Sequence, residues 1–509
     1  MTDHALRVLR ENPHLAELAA YPFNFDIGRA AHGHVEEVRL ASGGPLDIVA
    51  GDDTGGTYFV CADGSMLYAD SEGSAGIVGS SVDEALEIMI GLEEDEEGDE
   101  EDEEDEGDDD EEDAEGLRAE ASQLRDVEEV RVLLRAALGF PERSPAELEA
   151  MLRAALLRTE PDFLLLNGAE HNAYQLLDSY PRPPLWEPVL ASGRADLALL
   201  RAGDPAAWDS VAEDPVRRRL ALRAAQFDRA EGDLDLLRHL LRHETRSSMT
   251  DELRLAAVLV GLRGDVGDLP LLHEVRETDY DTVCGLGGIP EPGASSQELR
   301  DWAQELDDSL FGTDPADEPV STWTDLARDQ GMTELARVTL IRELDAIVMD
   351  QSTLRRPDAP RALTTAPLRA LAHDFEELGD RTQALRAQRL HTALQEKAWD
   401  RVSALLDQAR LEREGGQLPY AAQTLAALRR ILAAPGDDSL RHWDGVNLGR
   451  FIAEEHYRLT RALAVANLRD EAHALLPAAD AILGELSENA AKGVRKLAEE
   501  TAARVRELS

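Results

Sequence analysis

His239 and His243 stand four residues apart, a spacing that puts two imidazoles on one helical face, where they can share a metal ion. The residues between them are Leu240, Leu241 and Arg242. The Glu of a zinc-protease helix is missing, and no third ligand is indicated, so the pair reads as solvated or hydrogen-bonded. Gly51-Asp52-Asp53-Thr54-Gly55-Gly56 has the glycine content of a phosphate cradle. It lacks the Lys-Ser/Thr ending, leads into a strand and carries two carboxylates that repel phosphate, so it reads as a hairpin turn. Cys61 and Cys284 are the only cysteines, too few for a disulfide framework or a cysteine zinc site. Cys61, between Val60 and Ala62, reads as a small buried hydrophobe, and Cys284 sits in a glycine-rich stretch. Glu376 and Glu377 read as an exposed helix face rather than an acid/base pair. The expectation is a non-enzymatic protein with no metal and no cofactor.

What the chain has in excess is negative charge. Between Glu93 and Glu115, 20 of 23 residues are Asp or Glu, interrupted by Gly98, Gly107 and Ala114. Such a run cannot bury enough apolar surface to offset the entropy of ordering it, and it repels itself, so residues 93–115 are expected to be an extended, disordered linker, the alternative being an acidic arm that captures a basic partner. The formal charge of −51 is not the linker's alone: without it, 83 acids still face 52 bases, a formal −31. That excess argues against nucleic acid or an anionic membrane as partner, since both demand a basic footprint, and it fits a basic protein. The acids placed to meet such a partner are those of the N-terminal turns: Asp52, Asp53, Asp63, Asp70 and Glu72.

The elements that carry these turns follow from periodicity. Leu6, Leu9, Leu15, Leu18 and Ala19 predict an opening amphipathic helix ending before Pro22. The period then shortens to two, predicting strands at Val35–Leu40, Leu46–Ala50, Thr57–Cys61 and Met66–Ala69, with Tyr58 and Val60 on one face of the third and Phe59 and Cys61 on the other. Ser80 or Ser81 caps a helix through Leu92 that buries Ala85, Leu86, Met89 and Ile90. The stretch PLDIVAGDDTGGTYFVCADGSMLYADSEGSAGIVGSSVDEALEIMIGL resembles the latter half of a SUKH-superfamily domain, with a Gly-Asp turn between strands, an acidic turn and a Ser-capped helix. The resemblance covers about a tenth of the chain. It implies a small α+β binding module of the kind found in bacterial immunity proteins that neutralise toxins and in eukaryotic regulatory scaffolds.

From Leu117 onward apolar residues recur at three- and four-residue steps, closed by Gly or Pro. Helical hairpins are expected to turn at Gly232-Asp233, Gly264-Asp265, Gly379-Asp380 and, more loosely, Arg469-Asp470, with glycine ending one helix and Asp capping the next. Leu253 to Val275 resembles a HEAT-type hairpin. Leu368 to Leu394, with Phe375, Leu378, Gly379 and Ala384, resembles a TPR-type one. The expected plan is a small α+β domain with an antiparallel sheet over residues 1–92, the linker at 93–115, and an α-solenoid-like helical-hairpin array. The array divides into subdomains at 116–290 and 321–509, joined by a Gly/Pro-containing connection with a short helix at 291–320.

No apolar stretch is long enough to span a bilayer and the N-terminus lacks a secretory pattern, so a cytoplasmic location is expected. Three lysines beside 49 arginines point to no arginine-specific chemistry. The reading is a cytoplasmic protein-binding protein, an immunity-type inhibitor of a basic toxin; the alternative is a helical-repeat scaffold or regulatory adaptor capped by the N-terminal domain.

Overall fold

The structure is a computed structural model and describes residues 4–92, 127–355 and 363–507. The Glu93–Glu115 run lies outside the described residues. The chain divides into two compact units, Met1–Pro183 and Pro184–Ser509.

In the first unit the opening helical segment is two helices, α1 (His4–Glu11) and α2 (Pro13–Ala20), because Pro13 cannot donate into a continuing helix and starts a new one instead. Strands β1 (Val38–Leu40), β2 (Leu46–Gly51), β3 (Thr57–Cys61), β4 (Met66–Ala69) and β5 (Ser74–Gly79) follow. Then come α3 (Val82–Gly91), capped by the Ser81 hydroxyl, α4 (127–138) and α5 (Pro145–Leu156). The unit closes with β6 (Leu165–Asn167) and β7 (Gln175–Leu176).

The sheet order is β2-β3-β4-β5-β7, antiparallel through β5 with β7 added in parallel, while β1 pairs with β6 in a separate two-stranded ribbon. Alternation along β3 divides its side chains as expected. Tyr58 and Val60 join a core with Leu6, Leu9, Leu86, Ile90 and Leu134; Phe59 and Cys61 join another with Leu40, Ile77, Leu165 and Tyr174.

A boundary at Leu92 therefore does not match the unit. Residues 127–183 complete both of its cores and supply one strand to each sheet, so it runs on to Pro183. β5, β6 and β7 were not expected. β5 is glycine-containing, and β6 and β7 are three- and two-residue pieces too short to show a period.

The named elements of the second unit are all helices, with one isolated β-bridge between Arg355 and Leu363 among its described residues. Its first part comprises α6 (Trp186–Arg201), α7 (Pro205–Glu213), α8 (Pro215–Phe227), α9 (Leu234–Glu244), α10 (Asp251–Gly261), α11 (Leu269–Arg276), α12 (Tyr280–Gly285) and α13 (Ser296–Leu310). Helices α6, α8, α10 and α13 pack side by side in one layer and α7 and α9 pack in another, around a Leu/Ala core.

Next come α14 (Val320–Asp329), α15 (Thr333–Met349), α16 (Ala366–Glu377), α17 (Arg381–Ala393), α18 (Ala398–Glu414) and α19 (Leu418–Ala433). The array ends with α20 (Asn447–Val465), α21 (Arg469–Glu485), α22 (Glu488–Lys492) and α23 (Arg495–Arg506). From α14 to α21 successive pairs form hairpins.

The corner chemistry matches expectation at Gly379, whose φ is +74° and whose successor Asp380 caps α17, and at Gly264 (φ +68°) followed by the capping Asp265. Near Arg469 the left-handed position belongs instead to Asn467 (φ +61°), an amide residue that tolerates it. The 291–320 stretch holds more than the short helix expected of it. It holds the 15-residue α13, and its Asp307 and Glu318 pair with Arg229 and Arg223 of the α8 region.

Among the described residues no helix is long and apolar enough to cross a membrane.

Candidate functional site

The β2–β3 and β4–β5 turns leave the sheet at one end and the β3–β4 turn at the other, as alternate hairpins must. The first two touch: the Ser71 hydroxyl donates to the Thr54 carbonyl at 3.2 Å. Asp53, Asp70 and Glu72 therefore share one end of the sheet, with Asp53 and Glu72 exposed and Asp70 half-buried. Asp63, at the opposite end, is ion-paired with Arg158 at 3.0 Å. Of the five carboxylates expected to meet a partner, three are brought together and one is placed apart.

The fifth, Asp52, is turned inward and only 5% exposed. Its Oδ1 accepts from the Thr54 amide (3.0 Å), the Thr54 hydroxyl (3.0 Å) and the Gly56 amide (2.7 Å), and its Oδ2 from the Tyr68 hydroxyl at 2.6 Å. Burial pushes its carboxyl up, but these donors together outweigh burial and hold it below the usual range. It is the peg of the turn and not a surface for a partner. The close fit explains Gly56, where a Cβ would collide with Asp52 Oδ2 and the Tyr68 hydroxyl.

The same end gains residues that sequence reasoning missed. Gly33, at φ +76°, swings the chain so that His34 lies against Thr57 and Phe59 of β3. His34 Nδ1 is 3.0 Å from the Thr57 hydroxyl and Nε2 is 3.1 Å from the Tyr174 hydroxyl, which in turn donates a short hydrogen bond to Glu36 Oε1. Asn167 Nδ2 donates to the second oxygen of Glu36 at 2.5 Å. Burial holds His34 below the ordinary histidine value against the opposing pull of Glu36 and Asp70, and burial with the Glu36 hydrogen bond holds Tyr174 well above the ordinary tyrosine value. Asp70 is anchored by backbone amides of Glu72 (2.9 Å) and Ser74 (2.8 Å). Among the described residues Glu36, Asp53, Asp70 and Glu72 make no ion pair; the nearby Arg29 is taken by Asp26 at 3.4 Å. The result is a rim of four carboxylates, Glu36 and Asp70 fixed by hydrogen bonds and all four without an ion-pair partner among the described residues. Tyr174 and Asn167 lie beyond the acidic run from Glu36, with no local motif to flag them.

The second unit offers less chemistry. The His239 and His243 rings lie 4.7 Å apart and tilted by 44°, with Trp208 5.5 Å from His239. Trp208 and His239, without His243, line an open groove of about 490 Å³ whose Arg238 is already bound by Asp235, Asp265 and Asp268. No group of three His, Cys, Asp or Glu among the described residues could hold a metal. Cys61 is buried and its thiol is pushed up to about 12, first by burial; Cys284 is exposed on α12.

Between α14, α15 and α16 a group of acids stands out: burial, then the neighbouring Asp325, pushes the Asp374 carboxyl up to about 6, and burial also raises Asp325, Glu343 and, on α18, Asp407. Comparison of the chain with protein-family models, with curated proteins and with solved structures finds no match.

Proposed function

We propose that the protein is a non-enzymatic binding protein that takes a basic protein surface at the turn end of its first unit's sheet. The observation that carries this reading is the rim itself: Glu36, Asp53, Asp70 and Glu72 share one end, Glu36 and Asp70 are pre-positioned by hydrogen bonds, and no cation among the described residues pairs with them. A partner's arginines would meet carboxylates that need little reordering, and the long-range field of an acidic molecule speeds encounter with a basic one. The same field repels phosphate, so nucleic acid and anionic lipid are not the partners. His34, the best acid–base group at the rim, has both ring nitrogens held by the Thr57 and Tyr174 hydroxyls, which favours binding over catalysis. Taken with the SUKH resemblance, the reading becomes an immunity-type protein whose partner is a basic toxin.

One observation favours the alternative, a helical-repeat scaffold. Asp325, Asp374 and Asp407 lie on α14, α16 and α18, the first helices of successive hairpins, and burial raises all three against the pull of neighbouring cations, Arg328 pairing with Asp325 at 3.2 Å, which leaves a row of acids along the array. A single experiment separates the two. The full-length chain, a D53N/D70N/E72Q variant and a D325N/D374N/D407N variant are used to capture partners from the host, with mass spectrometry at low and moderate salt. A basic protein lost from the turn variant, and lost at moderate salt, supports the rim. A partner lost only from the D325N/D374N/D407N variant supports the scaffold, and a capture indifferent to both variants defeats both readings.

A further inference from the structure

We infer that Thr57, His34, Tyr174 and Glu36 form a directed hydrogen-bond relay that ties the charge of the acidic rim to the protonation of His34, making the rim a proton-gated docking surface. The gate rests on the binding function proposed above; the relay rests on geometry alone. Its direction follows from what each group can donate. Ionised Glu36 only accepts, so the Tyr174 hydroxyl must donate to it. The Tyr174 oxygen is then the acceptor for His34, which places the imidazole proton on Nε2 and leaves Nδ1 to accept from the Thr57 hydroxyl. In this state His34 is neutral and the Glu36 charge is uncompensated.

A proton taken from solvent can go only to Nδ1, which holds the remaining lone pair. The Thr57 hydroxyl then turns from donor to acceptor, and the ring carries a positive charge one hydroxyl away from Glu36. The charged groups facing His34 are Glu36 from its own segment and Asp70 from the β4–β5 turn, both negative, with Tyr174 from the stretch between β6 and β7; β3 presents the neutral Thr57 and Phe59. Protonation therefore neutralises part of the rim and weakens its hold on a basic partner. The burial that disfavours the imidazolium puts this change on the acid side of the ordinary histidine value, so the surface is fully charged at neutral pH and partly discharged on mild acidification.

Two measurements on the full-length chain test the inference. In the first, histidine NMR with ¹³C/¹⁵N-labelled protein, the His34 signal is identified by its absence in H34Q. The expected result is the Nε2–H tautomer at neutral pH and a titration midpoint that falls further in E36Q. An Nδ1–H tautomer, or a midpoint indifferent to E36Q, overturns the relay.

The second is the affinity of fluorescein-labelled nona-arginine measured across pH. The contribution of the Glu93–Glu115 run is common to all variants, so differences between variants report the rim. The wild-type affinity is expected to fall about three- to tenfold between about pH 7.5 and 5.5, the effect of one charge acting over a short half-buried distance, and this fall is expected to flatten in H34Q. An undiminished fall in H34Q overturns the gate. Equal affinity in the wild type and in an E36Q/D53N/D70N/E72Q variant removes the docking surface and the gate together, while the His34–Glu36 coupling seen by NMR separately decides the relay.

Discussion

Asp52 and Cys61 show how far residue type alone decides a side chain's task. Both sit in or beside turns of the same hairpins, but Asp52 is fastened inward by four donors and Cys61 is sealed in the core. Replacing Tyr68 by Phe leaves a buried carboxylate short of its closest donor and is expected to cost about 1–3 kcal/mol in urea unfolding at pH 7. The sign with pH follows from the Asp52 carboxyl lying below its ordinary value when folded. Its stabilisation is present above the unfolded value and is lost as pH falls through the folded one, so the Tyr68→Phe deficit should shrink in acid. The two thiols separate as sharply. With Cys61 pushed up to about 12 and buried, and Cys284 exposed, a thiol reagent should titrate one group in the native protein and two in denaturant; two rapid equivalents in the native state would place Cys61 at the surface. The sequence marks Asp52 as a turn residue, and it is one. That its carboxylate points inward depends on a tyrosine 16 residues away, which no local pattern encodes.

Elements were more legible than side-chain directions. β2, β3, β4, α3 and the Gly379-Asp380 corner stand close to where alternation, helical spacing and capping put them, because each is specified by its own residues. What could not be read locally is how hairpins stack, and the acids between α14, α15 and α16 arise from stacking. Asp374 is pushed up to about 6, by burial and then by Asp325, so the folded protein resists an ionisation that the unfolded chain undergoes near the ordinary 3.8. The penalty is absent below about pH 4, grows as pH rises toward 6 and is constant above. Asp374→Asn should therefore stabilise the protein at pH 7, by about 1 kcal/mol once solvent screening of a half-exposed group is allowed for, and by nothing at pH 4. Paired denaturation curves at the two pH values check this; a gain of equal size at both would assign the effect to packing instead of charge.

At the scale of the molecule, the acidic run looks like a boundary and is not one for the first unit. A composition shift marks where a chain changes character, but a core closes wherever apolar faces meet, and here they meet across the run. β6 pairs with β1, β7 extends the sheet beside β5, and Leu134, Leu138, Ala155 and Leu165 fill the two cores that residues 4–92 begin. The rim depends on the same return, because Tyr174 and Asn167 hold Glu36 in place. Residues 1–92 alone would expose apolar faces of both cores and leave β5 as an open edge, the arrangement that invites aggregation. Expressed alone, this fragment is expected to be insoluble or to give poorly dispersed amide signals. Co-expressed with residues 116–509 as a separate chain, it should copurify as a soluble, stoichiometric complex, since the pairing of β1 with β6 and of β5 with β7 needs no covalent passage through the run. The amide spectrum of the reassembled complex should overlay that of the intact protein in the first unit. A well-dispersed, monomeric 1–92 fragment that ignores its complement would show that the unit ends at Leu92 after all, and that the return of residues 127–183 contributes little to its stability.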